Sequence, residues 1–157
     1  MLYIKGQTLF ESANETYNDV LFMKEHELSF KSIMLSNQNA IECYLCSMIE
    51  ILSNKTIDDF YGRGRVPHDL GRLYDDLYSL DKNHVLPNYN RKLKRELQGA
   101  FYDFKSTRYP KENNFRIVDI ESLDFDIDIT CEIKEISKEF YEYVNQMTNQ
   151  TKESFLL

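Results

Sequence analysis

The chain has 157 residues, of which 42% are hydrophobic and only five are Gly and three Pro, which excludes an intrinsically disordered or collagen-like protein. This length fits one domain spanning residues 1–157, with its core expected at about residues 8–149. The 19 Lys and Arg against 26 Asp and Glu give a net charge of −7, which excludes a protein that coats nucleic acid indiscriminately.

The apolar and cysteine content bears on the cellular compartment. No apolar segment typical of a secretory signal lies near the N-terminus, and the longest apolar runs are much shorter than a membrane span. Cys43-x-x-Cys46 matches half of a zinc site, but no second pair follows at finger spacing, so packing in the core is favoured. We therefore expect a reduced, cytoplasmic protein without membrane segment, metal or cofactor.

The first two predicted helices occupy the N-terminal third of the chain. Ser12-Ala13-Asn14-Glu15 matches a capping box, and Thr8-Leu9-Phe10-Glu11 offers an alternative start one turn earlier. The second helix is predicted from about Ser29 to Leu52, because apolar residues recur there at helical spacing. Its length is enough to cross the whole domain.

The middle of the chain predicts two further helices after an irregular segment. One isolated turn is expected around Asp58 to Tyr61. Pro67 is predicted to open the third helix, since its missing N–H costs nothing at the first helical position, and this places His68 in the first turn. The fourth helix is predicted from about Tyr89 to Lys105, with Pro110 ending it.

The C-terminal part contains an ambiguous segment. Leu123 to Ile129 alternates apolar and acidic residues, which is strand periodicity, but a lone strand has no partner, so an extended lead-in is expected. The acidic residues also match part of a calcium-binding loop, yet Ile129 stands where that loop requires Gly. The final helix is predicted from Thr130 to about Asn149, capped by Asp128 or Thr130. The fold class is therefore all-α, a four- to five-helix up-and-down bundle.

The charge is unevenly distributed along the chain. Residues 55–116 contain thirteen Lys and Arg against nine Asp and Glu, a local charge of +4, whereas the rest of the chain carries −11. A basic, Tyr-rich region of this kind fits an anionic ligand or an RNA backbone. The cluster Arg91-Lys92-Lys94-Arg95 by itself is better explained as a solvated helix face.

Three local patterns carry most of the polar chemistry. The second helix contains Gln38-x-Ala40-x-Glu42-x-x-Leu45, which places an ionisable Glu42 among apolar neighbours. The third helix opens with a His and an Asp in its first turn, and the fourth ends in Lys, Arg and Tyr. In full, these two motifs are Pro67-His68-Asp69-Leu70-x-x-Leu73 and Tyr102-x-x-Lys105-x-x-Arg108-Tyr109-Pro110.

Taken in this order, the three motifs resemble those of the HEPN family, small helical domains named for nucleotide binding in higher eukaryotes and prokaryotes. The resemblance covers about residues 8–149 and implies an all-α, commonly dimeric bundle with a nucleotide or RNA site. The chain departs from the family at Cys46, where Lys is frequent, and at Lys111, where an acidic residue is frequent. The residues that the resemblance assigns to the site are His68, Asp69, Arg108 and Tyr109, with Glu42, Tyr102 and Lys105 as further candidates.

A catalytic branch of this family resembles metal-independent endoribonucleases with an Arg-x4-6-His motif. Arg63-Gly-Arg-Val-Pro-His68 has that spacing, although Gly64 stands where the catalytic branch usually has a polar residue. In such an enzyme His68 would take the proton of the ribose 2′-OH and Arg63 would stabilise the charge on the phosphorane. The spacing is weakly specific, because Arg and His pairs arise easily by chance.

Three function classes therefore stay open. The first is a HEPN-like module that binds a nucleotide or RNA within a prokaryotic toxin–antitoxin or defence system, with a nucleotidyltransferase or antitoxin protein as a possible partner. The second is the metal-independent endoribonuclease toxin. The third is a dimeric scaffold whose polar pocket only stabilises the bundle. The family resemblance and the eleven Tyr and ten Phe residues also lead us to expect a homodimer.

Overall fold

The computed structural model describes residues 6–109 and 118–147 of the chain. The described residues form six α-helices and no strand, so the predicted all-α bundle is confirmed. Their bounds are α1 (Gln7–Glu25), α2 (Phe30–Ser53), α3 (Ile57–Tyr61), α4 (Leu70–Leu80), α5 (Arg91–Arg108) and α6 (Ile120–Gln146). Within this part of the chain, no helix is both long and apolar enough to cross a membrane.

Helix α2 is the centre of the bundle and packs against each of the other five helices. Its Ala40, Ile41, Tyr44 and Leu45 are completely buried. The main core forms around α2 from side chains of α1, α4, α5 and α6. A smaller second core joins Val20 of α1 and Ile33 of α2 to Leu123 and Ile127 of α6. Although α2 is enclosed in this way, its residues between Leu35 and Glu42 also line a pocket at the surface of the bundle.

The predicted start of α1 at Ser12 or Thr8 is wrong. The helix begins at Gln7 after Gly6, which has a φ of +88° and provides no side-chain cap. Gly6 lies so close to the backbone carbonyl of Ser47 that an added Cβ would clash with it. This close approach, rather than a capping side chain, sets where α1 enters the bundle.

The middle helices follow the prediction closely, with one correction. Helix α2 begins where predicted, since the Ser29 side chain accepts a hydrogen bond from the Ser32 amide at 3.4 Å. The predicted turn at 58–61 is α3. The prediction that Pro67 opens the next helix is wrong, because α4 begins at Leu70. Asp69 is its N-cap and accepts hydrogen bonds from the Gly71 and Arg72 amides at 3.0 and 3.2 Å, so His68 precedes the helix.

Helix α5 is shifted from its predicted range and α6 is longer than predicted. Asn90 caps α5, which continues to Arg108 with Tyr109 following it; the predicted terminator Pro110 lies outside the described residues. The prediction of an extended segment at 123–129 is wrong, since α6 already begins at Ile120, with Asp119 rather than Asp128 or Thr130 as its N-cap. Leu123 and Ile127 lie one helical turn apart and both enter the smaller core, while Phe125 is exposed.

The cysteines are free thiols, and two of them pack in the bundle. Cys46 belongs to the main core and Cys43 packs against it, and burial raises the pKa of the Cys43 thiol to about 11. Both side chains therefore behave as small apolar groups, as the sequence predicted. In residues 6–109 and 118–147, no group of three His, Cys, Asp or Glu side chains is arranged to hold a metal ion.

Candidate functional site

A pocket of about 560 Å³ lies between the N-terminal half of α2 and the C-terminal half of α5. Each helix lines it with residues at i, i+3 or i+4, and i+7, which is one face of an α-helix. Five of the predicted site residues meet there: Glu42, His68, Lys105, Arg108 and Tyr109. The other lining residues are Leu35, Ser36, Gln38, Asn39, Phe101 and Phe104.

Glu42 and His68 form a hydrogen-bonded pair at this pocket. The Nδ1 atom of His68 lies 3.0 Å from Oε1 of Glu42. The Glu42 side chain is only 18% exposed, whereas that of His68 is 73% exposed. When Nδ1–H donates to an ionised Glu42, the second ring nitrogen of His68 is left as an acceptor for a ligand.

Gln38 fixes both partners of this pair. Its side-chain amide nitrogen donates to Oε1 of Glu42 at 3.1 Å and to the backbone carbonyl of His68 at 2.9 Å. Gln38 and Glu42 are one turn apart on α2 and therefore lie on the same face. The segment before α4 is thus attached to α2 through one buried amide, which explains why His68 reaches the pocket although it is outside the helix.

The carboxyl group of Glu42 is sensitive to its surroundings. Burial raises the pKa of Glu42 above its ordinary value of 4.5, while the hydrogen bond from Gln38 and the neighbouring His68 act in the opposite direction. Since burial dominates, the protonated form is favoured more than in a solvated Glu. A carboxyl group with such a perturbed pKa in a cleft is typical of a functional site.

Two cations line the opposite wall of the pocket and are held by aromatic rings. The Arg108 guanidinium carbon lies 5.8 Å from the ring centre of Phe104 and 5.4 Å from that of Tyr109. The Lys105 amine lies 5.3 Å from the ring centre of Phe101. No carboxylate of the described residues is within ion-pair distance of Arg108. Arg108 is therefore available to bind an anion.

A second pocket of about 440 Å³ continues this cleft. It shares Leu35, Phe104, Arg108 and Tyr109 with the first pocket and adds Lys31 of α2. Among the described residues, the combined cleft is lined by Lys31, Lys105 and Arg108 and by one carboxylate, that of Glu42. Its charge therefore favours an anionic ligand, in contrast to the net charge of −7 of the chain.

Three of the predicted site residues do not line the pocket. Asp69 is occupied as the N-cap of α4. Tyr102 is exposed outside the pocket, with its ring centre 6.0 Å from the amine of the lining residue Lys105. Arg63 is exposed in the segment between α3 and α4. Gly64 beside it has a φ of +75°, a left-handed conformation that Gly adopts without steric cost.

Three residues that line the pocket and matter for its chemistry were not predicted from the sequence. Gln38 was part of a motif but was not assigned to the site, and Phe101 and Phe104 were not among the predicted site residues. The spacing of Phe101, Phe104, Lys105 and Arg108 at i, i+3, i+4 and i+7 is the signal that places them on one face.

Comparison of the chain with protein-family models, curated proteins and solved structures gives no match. The HEPN resemblance therefore depends on the three sequence motifs alone.

Proposed function

We propose that the pocket between α2 and α5 binds the phosphate group of a nucleotide or of RNA. The observation that supports this most directly is that Arg108, Lys105 and the Glu42–His68 pair line the same cleft. Its volume of about 560 Å³ falls within the range of about 300–1,000 Å³ found for small-molecule sites. The rings of Phe101 and Phe104 add apolar walls beside the cations, as expected for a ligand with a base and a phosphate.

Calorimetric titration with a mononucleotide and with an uncleavable 2′-O-methyl oligoribonucleotide tests this binding. Arg108→Gln should weaken binding at least about tenfold, because it removes a charged, bidentate donor from the phosphate. Arg72→Gln is the matched control, since Arg72 is an exposed arginine of α4 that pairs with Asp76 at 3.7 Å and does not line the cleft. Absence of binding by the wild-type protein, or equal losses in both variants, would contradict the proposal.

The Glu42–His68 hydrogen bond favours a second candidate function, a metal-independent endoribonuclease. In this reaction Nε2 of His68 takes the proton of a ribose 2′-OH and the 2′-oxygen attacks phosphorus. The bond from phosphorus to the 5′-oxygen breaks, and that oxygen takes a proton from water. Arg108 donates hydrogen bonds to the phosphorane oxygens. The products are a 2′,3′-cyclic phosphate and a 5′-OH end.

Incubation of the protein with single-stranded RNA in a chelator distinguishes the enzyme from a binding module. The enzyme should yield the cyclic phosphate, and His68→Ala should reduce cleavage at least about a hundredfold. A binding module should leave the RNA intact while Arg108→Gln still weakens binding. A scaffold should show neither response, and both substitutions should only lower its stability.

We also propose that the protein is a homodimer that acts with a cognate partner protein in a toxin–antitoxin or defence system. Several large apolar side chains are exposed, among them Phe22, Ile120 and Phe125, and association would cover them. Light scattering should give a mass twice that of the 18.7 kDa chain. A mass equal to that of one chain would contradict the dimer.

A further inference from the structure

Helix α5 presents one continuous polar face on the side opposite the core. Its buried residues Leu93, Leu97, Ala100 and Phe104 form the inner face. On the outer face, residues follow each other at spacings of four, three, four, three and four, which is helical periodicity. We call this face the α5 stripe; it consists of Arg91, Arg95, Gln98, Tyr102, Lys105 and Tyr109.

The stripe contains cations, an amide and two phenol rings but no carboxylate. Helix α5 has six Lys and Arg against two acidic residues, and both acids lie off the stripe. Asp103 is buried, and Glu96 lies 3.8 Å from Lys92. Within the described residues, neither Arg91 nor Arg95 has a carboxylate at ion-pair distance. Glu96 and Asp126 line a shallow cavity beside Arg95, but the stripe itself presents three cations and no carboxylate, which favours a polyanion.

The stripe leads directly into the pocket. Lys105 and Tyr109 belong to both, and the exposed ring of Tyr102 is next to Lys105. The 18 residues of α5 extend over about 27 Å. A mononucleotide in the pocket would leave most of this length unused, whereas a single strand of on the order of four nucleotides would follow it.

We propose that the α5 stripe is the binding surface for single-stranded RNA and that one phosphate of this RNA occupies the pocket. Arg91 and Arg95 contact phosphates at one end of the strand and Lys105 contacts a phosphate near the pocket, while the rings of Tyr102 and Tyr109 stack on bases. This inference depends on the proposed function of the pocket. It adds that the ligand is an oligonucleotide and that its chain lies along α5 towards Arg91.

Calorimetry with 2′-O-methyl oligouridylates and oligoadenylates of one to eight nucleotides tests the stripe in the full chain. Wild-type affinity should rise with length and level off near four to six nucleotides. Arg91→Gln/Arg95→Gln should lose at least about tenfold in affinity for the octamer and stay within about twofold for the mononucleotide. For this double variant, the slope of log affinity against log salt concentration should be smaller in magnitude by about 1.4 than for wild type, because two phosphate contacts are removed.

Two further variants control the result. Lys82→Gln/Lys138→Gln removes the same charge from exposed positions off the stripe and should stay within about twofold of wild type. Tyr102→Ala should weaken octamer binding at least about fivefold through loss of stacking. Affinity that is independent of length, no octamer binding, or equal losses in the stripe and control variants would overturn the inference. If the mononucleotide binds in a way that depends on Arg108, but affinity does not change with oligonucleotide length, the stripe is overturned and the pocket is retained. If no nucleotide or oligonucleotide binds, the proposed function of the pocket is overturned as well.

Discussion

His68 Nδ1 and Glu42 Oε1 lie 3.0 Å apart, and this contact joins the segment before α4 to the central helix of the bundle. The two residues are unequal partners. Glu42 is largely buried beside Gln38, whereas the His68 ring is open to solvent. The pair therefore has a fixed, buried end and an accessible end, which is the arrangement that a positioned acid–base group requires.

The raised pKa of Glu42 predicts how this pair affects stability. A folded-state pKa above the ordinary 4.5 means that the folded protein holds the Glu42 proton more tightly than the unfolded chain does. As the pH rises above 4.5, the Glu42 contribution to the free energy of unfolding must fall. Glu42→Gln removes this dependence, so its stability relative to wild type should increase as the pH rises above 4.5.

Urea unfolding of both proteins at a series of pH values measures this effect. Glu132→Gln is the matched control, because Glu132 is an exposed residue on α6. A stability difference between wild type and Glu42→Gln that stays constant with pH would show that burial does not perturb this carboxyl group.

Arg63 and Arg108 give opposite predictions, because only Arg108 lines the pocket with His68. If the site is the cleft between α2 and α5, Arg108→Gln should reduce RNA binding or cleavage at least about tenfold, and Arg63→Gln should change either by less than about twofold. The two variants carry the same charge change, so each controls for the other. If Arg63→Gln strongly reduces RNA binding or cleavage while Arg108→Gln leaves both normal, the functional arginine is Arg63 of the Arg-x4-6-His motif.

Asp69 should act on stability rather than on the ligand. Its carboxylate accepts two amide hydrogen bonds at the start of α4. Asp69→Ala should therefore lower the free energy of unfolding by about 1 kcal/mol, whereas Asp69→Asn should retain most of the cap. Thermal or urea unfolding measures this loss. Because Asp69 does not line the pocket, nucleotide affinity should stay within about twofold of wild type in both variants, and a folded Asp69→Ala protein that has lost binding would contradict this.

The sequence predicted the helical parts of this fold well where a single periodicity dominates. Helix α2 begins beside its predicted start at Ser29, where the side-chain cap and the apolar spacing agree. At residues 123–129 both periods fit, since Leu123, Ile127 and Ile129 are apolar at spacings of four and two. The contact of Leu123 and Ile127 with Val20 and Ile33 selects the helix, and that contact is tertiary information.

The candidate site shows the same division between local and tertiary information. Glu42, His68 and Arg108 were predicted from motifs that lie far apart in the sequence, and the bundle brings them to one cleft. The hydrogen bond from Gln38 to the His68 carbonyl could not be predicted, because it depends on how the segment before α4 crosses α2. Asp69 was assigned to the site by the family resemblance, and the structure gives it the N-cap position of α4.

Gly6 provides a test of how α1 is placed against α2. Its φ of +88° disfavours any residue with a side chain, and an added Cβ would also clash with the backbone carbonyl of Ser47. Gly6→Ala should therefore lower the free energy of unfolding by more than the roughly 1–2 kcal/mol that the left-handed conformation costs alone. Gly64→Ala is the matched control, since Gly64 has a φ of +75° but no atom within 4 Å of an added Cβ. Urea unfolding should show a clearly larger loss for Gly6→Ala, because a backbone carbonyl within α2 cannot move aside without disturbing the helix. Equal losses in the two variants would mean that the approach of Gly6 to Ser47 does not hold α1 in place.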